Sequence, residues 1–362
     1  MSKDLKDKTL DELERIVVDL GQKKYLAKYI FQFIHVENAA AISQITPLSK
    51  VFRERLVEQG YTISRLSLAD KQTDSDGTSK YVFTLGDGHR IETVLLLDGK
   101  RRTLCVSTQA GCAMDCAFCA TARIGFKANL TAGQIVDQVN VAERDASSIE
   151  RKNAIRNTHD ARRVTNIVYM GMGEPLANYN ATIKSLGILN HPAGKNIGIR
   201  HITVSTCGLV PAIRKLARED IRPRLAVSLN APTDALRTRF MPINARYPIA
   251  ELMKALRFYQ ERIRQRVTFE YVMIKGLNDS TSHAKMLVKL LSGFLCNVNL
   301  IEHNPYPGCE FAGSSRERMT KFASVLESAG VETTVRFRMG RGIKAACGQL
   351  GADWLDESAE KF

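Results

Sequence analysis

The sequence predicts an α/β protein whose body is a partial (β/α) barrel, preceded by a small helical domain and a short β extension. Three observations predict it. From about residue 103 onward, short β-branched runs alternate with helical patterns; the first 60 residues carry only a helical period; and residues 61–102 switch to a strand period.

The elements follow in order. Leu10, Leu13, Ile16, Val17 and Leu20 recur at helical spacing, and Tyr25, Tyr29, Ile30, Phe31 and Phe33 make a second apolar face. Basic side chains lie among them, so residues 1–60 read as a basic helical accessory domain suited to RNA. In the β-rich connecting segment, 61–102, strands are expected at 80–84 and 90–97. Gly86-Asp87-Gly88 and Asp98-Gly99 supply the turns. The barrel spans 103–350, with strands expected at 103–108, 166–170, 201–205, 224–229, 267–273, 297–301 and 332–337. Between the first two, Thr131 and Gln134 form a capping-box pair ahead of a helix reaching Ala142. Residues 144–163 are polar and arginine-rich and read as a surface insertion, either solvated or in contact with RNA. A tail, 351–362, ends the chain. Functional groups of such a barrel collect at the C-terminal ends of its strands.

Composition bounds the function. The chain has 362 residues, 44% hydrophobic and 25% charged, as an ordinary globular protein has. No apolar run reaches the roughly 18 residues of a membrane span, and the charged N-terminus lacks the apolar core of a signal peptide. A cytoplasmic protein is expected. Eight cysteines in such a chain argue against a disulfide scaffold. The net charge of +14 favours a polyanion, RNA or DNA above all, although solubility alone would also account for it.

Cys112-x3-Cys116-x2-Cys119 places three thiolates in one short loop directly after a strand. A structural zinc site takes four ligands, often as two Cys-x2-Cys pairs, and no second pair exists, though Cys105 is available as a fourth sulfur. Three thiolates on a [4Fe–4S] cluster leave one iron open for chemistry. The spacing leaves both readings open.

The motif and its surroundings resemble the RlmN/Cfr family of radical SAM (S-adenosylmethionine) RNA adenosine methyltransferases. The matching segments include Thr103-Leu104-Cys105-Val106-Ser107-Thr108-Gln109-Ala110-Gly111-Cys112, Phe118-Cys119-Ala120-Thr121-Ala122 and Met170-Gly171-Met172-Gly173-Glu174-Pro175-Leu176. They continue with Met241-Pro242-Ile243-Asn244, Phe269-Glu270-Tyr271-Val272, Gly276-Leu277-Asn278-Asp279-Ser280 and Ala345-Ala346-Cys347-Gly348-Gln349-Leu350. The likeness runs in order from about residue 90 to 350. It implies a barrel of the radical SAM type, a [4Fe–4S] cluster on Cys112, Cys116 and Cys119, and two SAM molecules per turnover.

The chemistry explains the need. C2 and C8 of adenine are sp2 carbons without a nucleophilic lone pair, so a carbon radical must attack the ring. The resemblance implies that one SAM methylates Cys347 and that a second yields a 5′-deoxyadenosyl radical, which activates the S-methyl group for addition to the base. It further implies Glu92 as the base that removes the ring proton, and Cys105 as the thiol that resolves the adduct through a transient disulfide. Read alone, a strand glutamate is a solvated surface residue, and an apolar-flanked cysteine is a small core residue. For SAM, the resemblance implies contacts from Gly173, Glu174 and Pro175, from Ser205, from Ser228, Leu229 and Asn230, and from Asn304. Glu174 can accept from the SAM amino group while the flanking glycines admit the ligand. The implied substrates are an adenosine of 23S rRNA and, in many members, one of tRNA, with an electron donor such as flavodoxin.

Two positions depart from the family pattern. Asn230 stands where histidine is usual, and Met339-Gly340-Arg341-Gly342-Ile343 lacks the usual acidic residue before Cys347. Pro175 favours the RlmN side, hence C2 over C8. Two rivals stand beside this reading: a zinc-containing RNA-binding protein without catalysis, and a radical SAM enzyme with another substrate.

Overall fold

The chain begins with helices, each starting where the sequence supplies a cap. In the computed structural model, which describes residues 3–152, 163–336 and 340–359, Thr9 and Glu12 form a reciprocal capping box on α1 (Leu10–Asp19). With α2 (Leu26–His35) and α3 (Lys50–Glu58) it makes a small helical unit. Leu13, Val17, Ala27, Ile30, Phe31 and Ile34 are wholly buried. Tyr25 and Tyr29 are not, contrary to expectation: they are 58% and 37% exposed and meet edge to face. The buried stripe of α2 runs through positions 27, 30, 31 and 34, the spacing of one helical face, which leaves 25 and 29 outside.

His35 closes α2, wholly buried against Phe31 with neither ring nitrogen hydrogen-bonded. Burial, reinforced by the charges of Lys195, Lys6 and His191, pushes its pKa down to about 3. The unfolded chain takes up a proton there near pH 6.5 and the folded chain does not. Stability is therefore full above pH 6.5 and falls as the pH drops towards 3. Between pH 6.5 and pH 5 the loss is about 2 kcal/mol. Thermal unfolding of the wild type and His35→Leu across this interval checks it. The wild type should lose that much relative to the variant, and parallel profiles would contradict the assignment.

Strands β1 (Ser67–Thr73), β2 (Ser79–Thr84), β3 (Arg90–Asp98) and β4 (Arg101–Cys105) follow as an antiparallel meander. After β4 a two-stranded ribbon, β5 (Gln109–Ala110) with β6 (Ala128–Asn129), brackets the cysteine loop and the short helix α4 (Ala120–Arg123). Helix α5 (Ala132–Lys152) then leads to β7 (Asn166–Tyr169), which lies parallel to β4. The parallel run continues through β8 (Ile202–Thr206), β9 (Arg224–Ser228), β10 (Val267–Met273), β11 (Cys296–Glu302) and β12 (Glu332–Arg336). The bridging helices are α6 (Tyr179–Asn190), α7 (Val210–Leu216), the trio α8 (Asp234–Phe240), α9 (Ile243–Arg246) and α10 (Ile249–Ile263), then α11 (Thr281–Leu291) and α12 (Arg316–Ser328). Helix α13 (Ala352–Ala359) packs near α4.

One ten-stranded sheet results, ordered β1-β2-β3-β4-β7-β8-β9-β10-β11-β12. Its seven parallel strands are the expected ones, and its first and last strands are not joined, so the barrel is partial. Val227, Phe269, Val298 and Leu300 carry no exposed surface, as strands covered on both faces require.

The capping pair before α5 is present: Thr131 and Gln134 each receive the other's backbone N–H, at 2.9 and 3.1 Å. The helix overruns the expected end at Ala142, so residues 144–152 of the expected insertion are helical. The reason is packing, since Lys71 Nζ and Tyr81 Oη both donate to Asp145, at 2.6 and 2.9 Å. The rest of that insertion, 153–162, lies outside the described residues, as do Phe337 and Met339. The helical unit is pinned to the barrel by Lys6 and Asp137, paired at 2.6 Å and each 1% exposed; Leu66 N donates to the other carboxylate oxygen at 2.7 Å. Among the described residues no helix is long and apolar enough to cross a membrane.

Candidate active site

The cysteine loop is shaped before any ligand is considered. Gly111 has φ +69°, and a Cβ there would fall 1.7 Å from the Gly125 carbonyl oxygen, so only glycine lets the loop close. Cys112 N donates to that same oxygen at 3.2 Å, Ala117 N to Phe240 O at 3.0 Å and Ala120 N to Gly348 O at 2.8 Å. Cys112, Cys116 and Cys119 thereby share the wall of one cavity at the C-terminal ends of the parallel strands. It encloses about 170 Å³.

The remaining walls come from successive strand ends. Gly171, Gly173, Glu174 and Pro175 follow β7, Ser205, Thr206 and Cys207 end β8, and Ser228 ends β9. Glu174 accepts from Leu176 N at 3.0 Å and Cys207 N at 2.8 Å, one bond to each oxygen, and burial pushes its pKa up. The two glycines line the cavity and are also required by close packing. A Cβ on Gly171 would lie 2.7 Å from Ser107 Oγ, and one on Gly173 2.4 Å from Gln109 Cβ. Cys207 also lies on the cavity wall.

Glu270 on β10 was missed. It is 6% exposed, lines the cavity, and pairs in register with Ser228 on one side and Asn299 on the other; Asn299 Nδ2 donates to it at 2.8 Å. Burial raises its pKa. One acidic residue inside Val267-Thr268-Phe269-Glu270-Tyr271-Val272-Met273 was the available signal.

Leu229 and Asn230 are buried and do not line the cavity. Asn230 has φ +59°, a conformation asparagine tolerates better than most residues. Its Oδ1 accepts from Val272 N at 2.9 Å, which turns the amide towards β10 rather than a ribose. Asn304 lies just off the cavity wall. Its Nδ2 donates to Cys347 O at 3.1 Å, while its Oδ1 is buried without a partner, an acceptor open to a ligand.

Cys347 faces the three cysteines across the cavity. It sits deep in the molecule yet counts as exposed, because its accessible surface opens into the cavity. Burial and then the charge of Glu270 push its thiol pKa up. Cys105, at the end of β4, is buried, and its thiol is pushed far up by burial and then by Cys347. Cys105 pairs with Val94 across the β3–β4 ladder, so by strand alternation Glu92 lies on the same face of the sheet. All eight cysteines are free thiols.

Glu92 is wholly buried and off the cavity wall, not solvated as a lone strand glutamate would be. Oε2 accepts from Gly351 N at 2.8 Å, four residues past Cys347. Oε1 lies 3.3 Å from Lys80 Nζ as an ion pair without hydrogen-bond geometry, for Lys80 directs its donor to Asp353 at 2.8 Å. Burial raises the Glu92 pKa and the Lys80 charge opposes the rise. If Glu92 acts as a base, Lys80→Met removes the opposing charge and shifts the acidic limb of the pH–rate profile to higher pH. An unmoved limb would separate Glu92 from the titration.

The donor set fits an iron–sulfur cluster. Three soft sulfurs share one wall, with a fixed carboxylate and an unpartnered amide oxygen beside them. Among the described residues no three His, Cys, Asp or Glu side chains converge on a single metal ion. A closed zinc site would draw its thiolates to about 3.8 Å of one another. Cys105, the fourth sulfur of the zinc reading, does not line this cavity.

Residues 106–287 match the Radical SAM superfamily, and residues 3–61 match the ribosomal RNA large subunit methyltransferase N-terminal domain. A dual-specificity RNA methyltransferase RlmN from Syntrophobacter fumaroxidans is 44% identical over 97% of this chain and 98% of its own length. The chain belongs to the RlmN family. A second RlmN, from Anaeromyxobacter dehalogenans, is 42% identical over 97% of this chain and 92% of its own. The crystal structure of a radical SAM methyltransferase from Sphaerobacter thermophilus superposes with a TM-score of 0.88 at 45% identity, covering 96% of this chain and 99% of that one. The protein is thus a radical SAM RNA methyltransferase, a family that implies a [4Fe–4S] cluster and SAM.

Proposed function

We propose that this chain methylates C2 of an adenosine in 23S rRNA and of an adenosine in tRNA, with Cys347 as the methyl carrier. One observation carries the reading. Cys347 lines the same cavity as Cys112, Cys116 and Cys119. The relatives' names, dual-specificity RNA methyltransferase, and the +14 charge support an RNA substrate.

A cluster held by Cys112, Cys116 and Cys119 supplies, with SAM, the carbon radical that a closed-shell side chain cannot. The chain's own residues do the rest. Glu174, Ser205 and Ser228 bind SAM from the strand ends, and the open Oδ1 of Asn304 accepts from it. The Cys347 sulfur takes a methyl group from a first SAM and carries its carbon to the adenine. Glu92 accepts the proton leaving the ring. Cys105 attacks the Cys347 sulfur, forming an S–S bond as the S–C bond breaks; the carbon keeps the bonding pair and takes a proton to become the methyl group, and a dithiol reductant returns the disulfide to two thiols. Pro175, on the cavity wall, supports C2 over C8.

The protein acts as a cytoplasmic monomer, with a flavodoxin-type donor and two SAM per turnover. The test is mass spectrometry of rRNA and tRNA nucleosides from a strain lacking the gene. Loss of 2-methyladenosine, restored by the gene, is expected; unchanged nucleosides, or loss of the 8-methyl isomer instead, would overturn it.

A further inference from the structure

Behind the cysteine loop lies a small second core: Cys207, Ala231, Phe240 and Met241 pack against Met114, Cys116 and Phe118. Phe118 and Phe240 meet edge to face, 6.0 Å between ring centres. Into this core α8 inserts Arg237, whose side chain has no exposed surface. Nε donates to Leu229 O at 3.1 Å, Nη1 to Asn244 Oδ1 at 3.0 Å, and Nη2 to Cys207 O at 2.6 Å and Ser228 O at 3.2 Å. Every acceptor is neutral, and among the described residues no carboxylate pairs with the guanidinium. Asp234 is held one residue away, bonded to Asn244 Nδ2 at 3.0 Å and Ile249 N at 2.7 Å. Gly208, at φ +109°, leaves room for the guanidinium, since a Cβ there would stand 3.2 Å from Nη2.

A buried cation without a counter-ion is costly, on the order of several kcal/mol, unless an opposing charge arrives. Two cysteines belong to the same small core, Cys207, whose carbonyl accepts from Nη2 at 2.6 Å, and Cys116 of the cysteine loop. Cys116 is neutral as a thiol and negative as a thiolate ligand. Three thiolates on an oxidised four-iron core leave one net negative charge, and reduction by one electron makes it two. The hydrogen bonds explain how Arg237 ties the ends of β8 and β9 together, but they do not require a charge; a neutral donor would serve.

We propose that Arg237 is a positioning residue of the cluster site. It is the fixed counter-charge to the cluster ligated by Cys116, and it holds the reduction potential high enough for the electron donor. The inference rests on the cluster reading above. Iron and sulfide analysis of the anaerobically purified wild type tests that reading by itself, and a redox titration followed by electron paramagnetic resonance tests Arg237.

Arg237→Gln keeps a donor and much of the volume but removes the charge. At a fixed potential its reduced fraction should fall about tenfold relative to wild type, equivalent to 59 mV for one electron. Arg237→Lys keeps the charge with fewer bonds and should stay near the wild-type potential even where its stability drops. An iron-loaded Arg237→Gln protein at the wild-type potential would overturn the proposal, as would equal shifts in the Gln and Lys variants. Should the Gln variant fail to fold, Asn244→Asp decides, because it sets a carboxylate against Nη1 while Arg237 remains. A lowered potential in it supports the proposal, and a wild-type potential sinks it.

Discussion

Replacing Cys105 with alanine should leave the protein joined covalently to its RNA. In the proposed sequence the base is bound to the Cys347 sulfur through one carbon, and Cys105 releases it. Alanine at 105 blocks release but nothing before it, so the adduct should accumulate to about one RNA per active protein. The substitution removes one buried sulfur at the end of β4, at a cost of about 1 kcal/mol, too little to unfold the chain. Denaturing electrophoresis of the variant, with and without ribonuclease, reads the outcome. A variant free of RNA that still turns over would remove Cys105 from the mechanism.

Cys347→Ala carries the second large effect. Without the sulfur there is no methyl carrier, and methylation should fall by on the order of 10⁴-fold or more. The side chain opens into the cavity, so unfolding stability should change by less than about 0.5 kcal/mol. Iron content should match wild type, because the three ligating cysteines are untouched. Adding Cys347→Ala to the Cys105→Ala protein should also abolish the trapped adduct. Persistence of the adduct in the double variant would place the bond on another residue.

The parallel strands were legible because a strand covered on both faces must be a short apolar run, as in 267–273 and 297–301. The face of α2 was misjudged because tyrosines were counted with aliphatic residues; a tyrosine keeps its hydroxyl wet as easily as it buries its ring. The length of α5 was hidden because its last turns are polar, and what holds them is Asp145 meeting Lys71 and Tyr81, residues far away in sequence.

In the site, the three cysteines were visible from spacing. The burial of Glu92 was not. Read alone, Glu92 is a solvated strand residue, and only the β2–β3 register makes it a diagonal neighbour of Lys80, Lys80 opposite Val94 and Glu92 opposite Val82. The orientation of Asn230 was hidden for a related reason. Its left-handed backbone turns the side chain to β10, and a sequence carries no dihedral angle.

Strand β1 bears on how this enzyme survives in a crowded cell. Its residues, Ser67-Leu68-Ala69-Asp70-Lys71-Gln72-Thr73, are mostly exposed and polar, and its pairing is broken between Leu68 and Asp70. A short, charged, irregular margin is a poor template for a second chain. Two strands further in, β3 and β4 carry Glu92 and Cys105, and a one-residue slip would turn both to the wrong face. The antiparallel meander therefore works as a selvedge: fraying and mispairing at that margin fall on β1, and the strands that carry Glu92 and Cys105 lie out of reach.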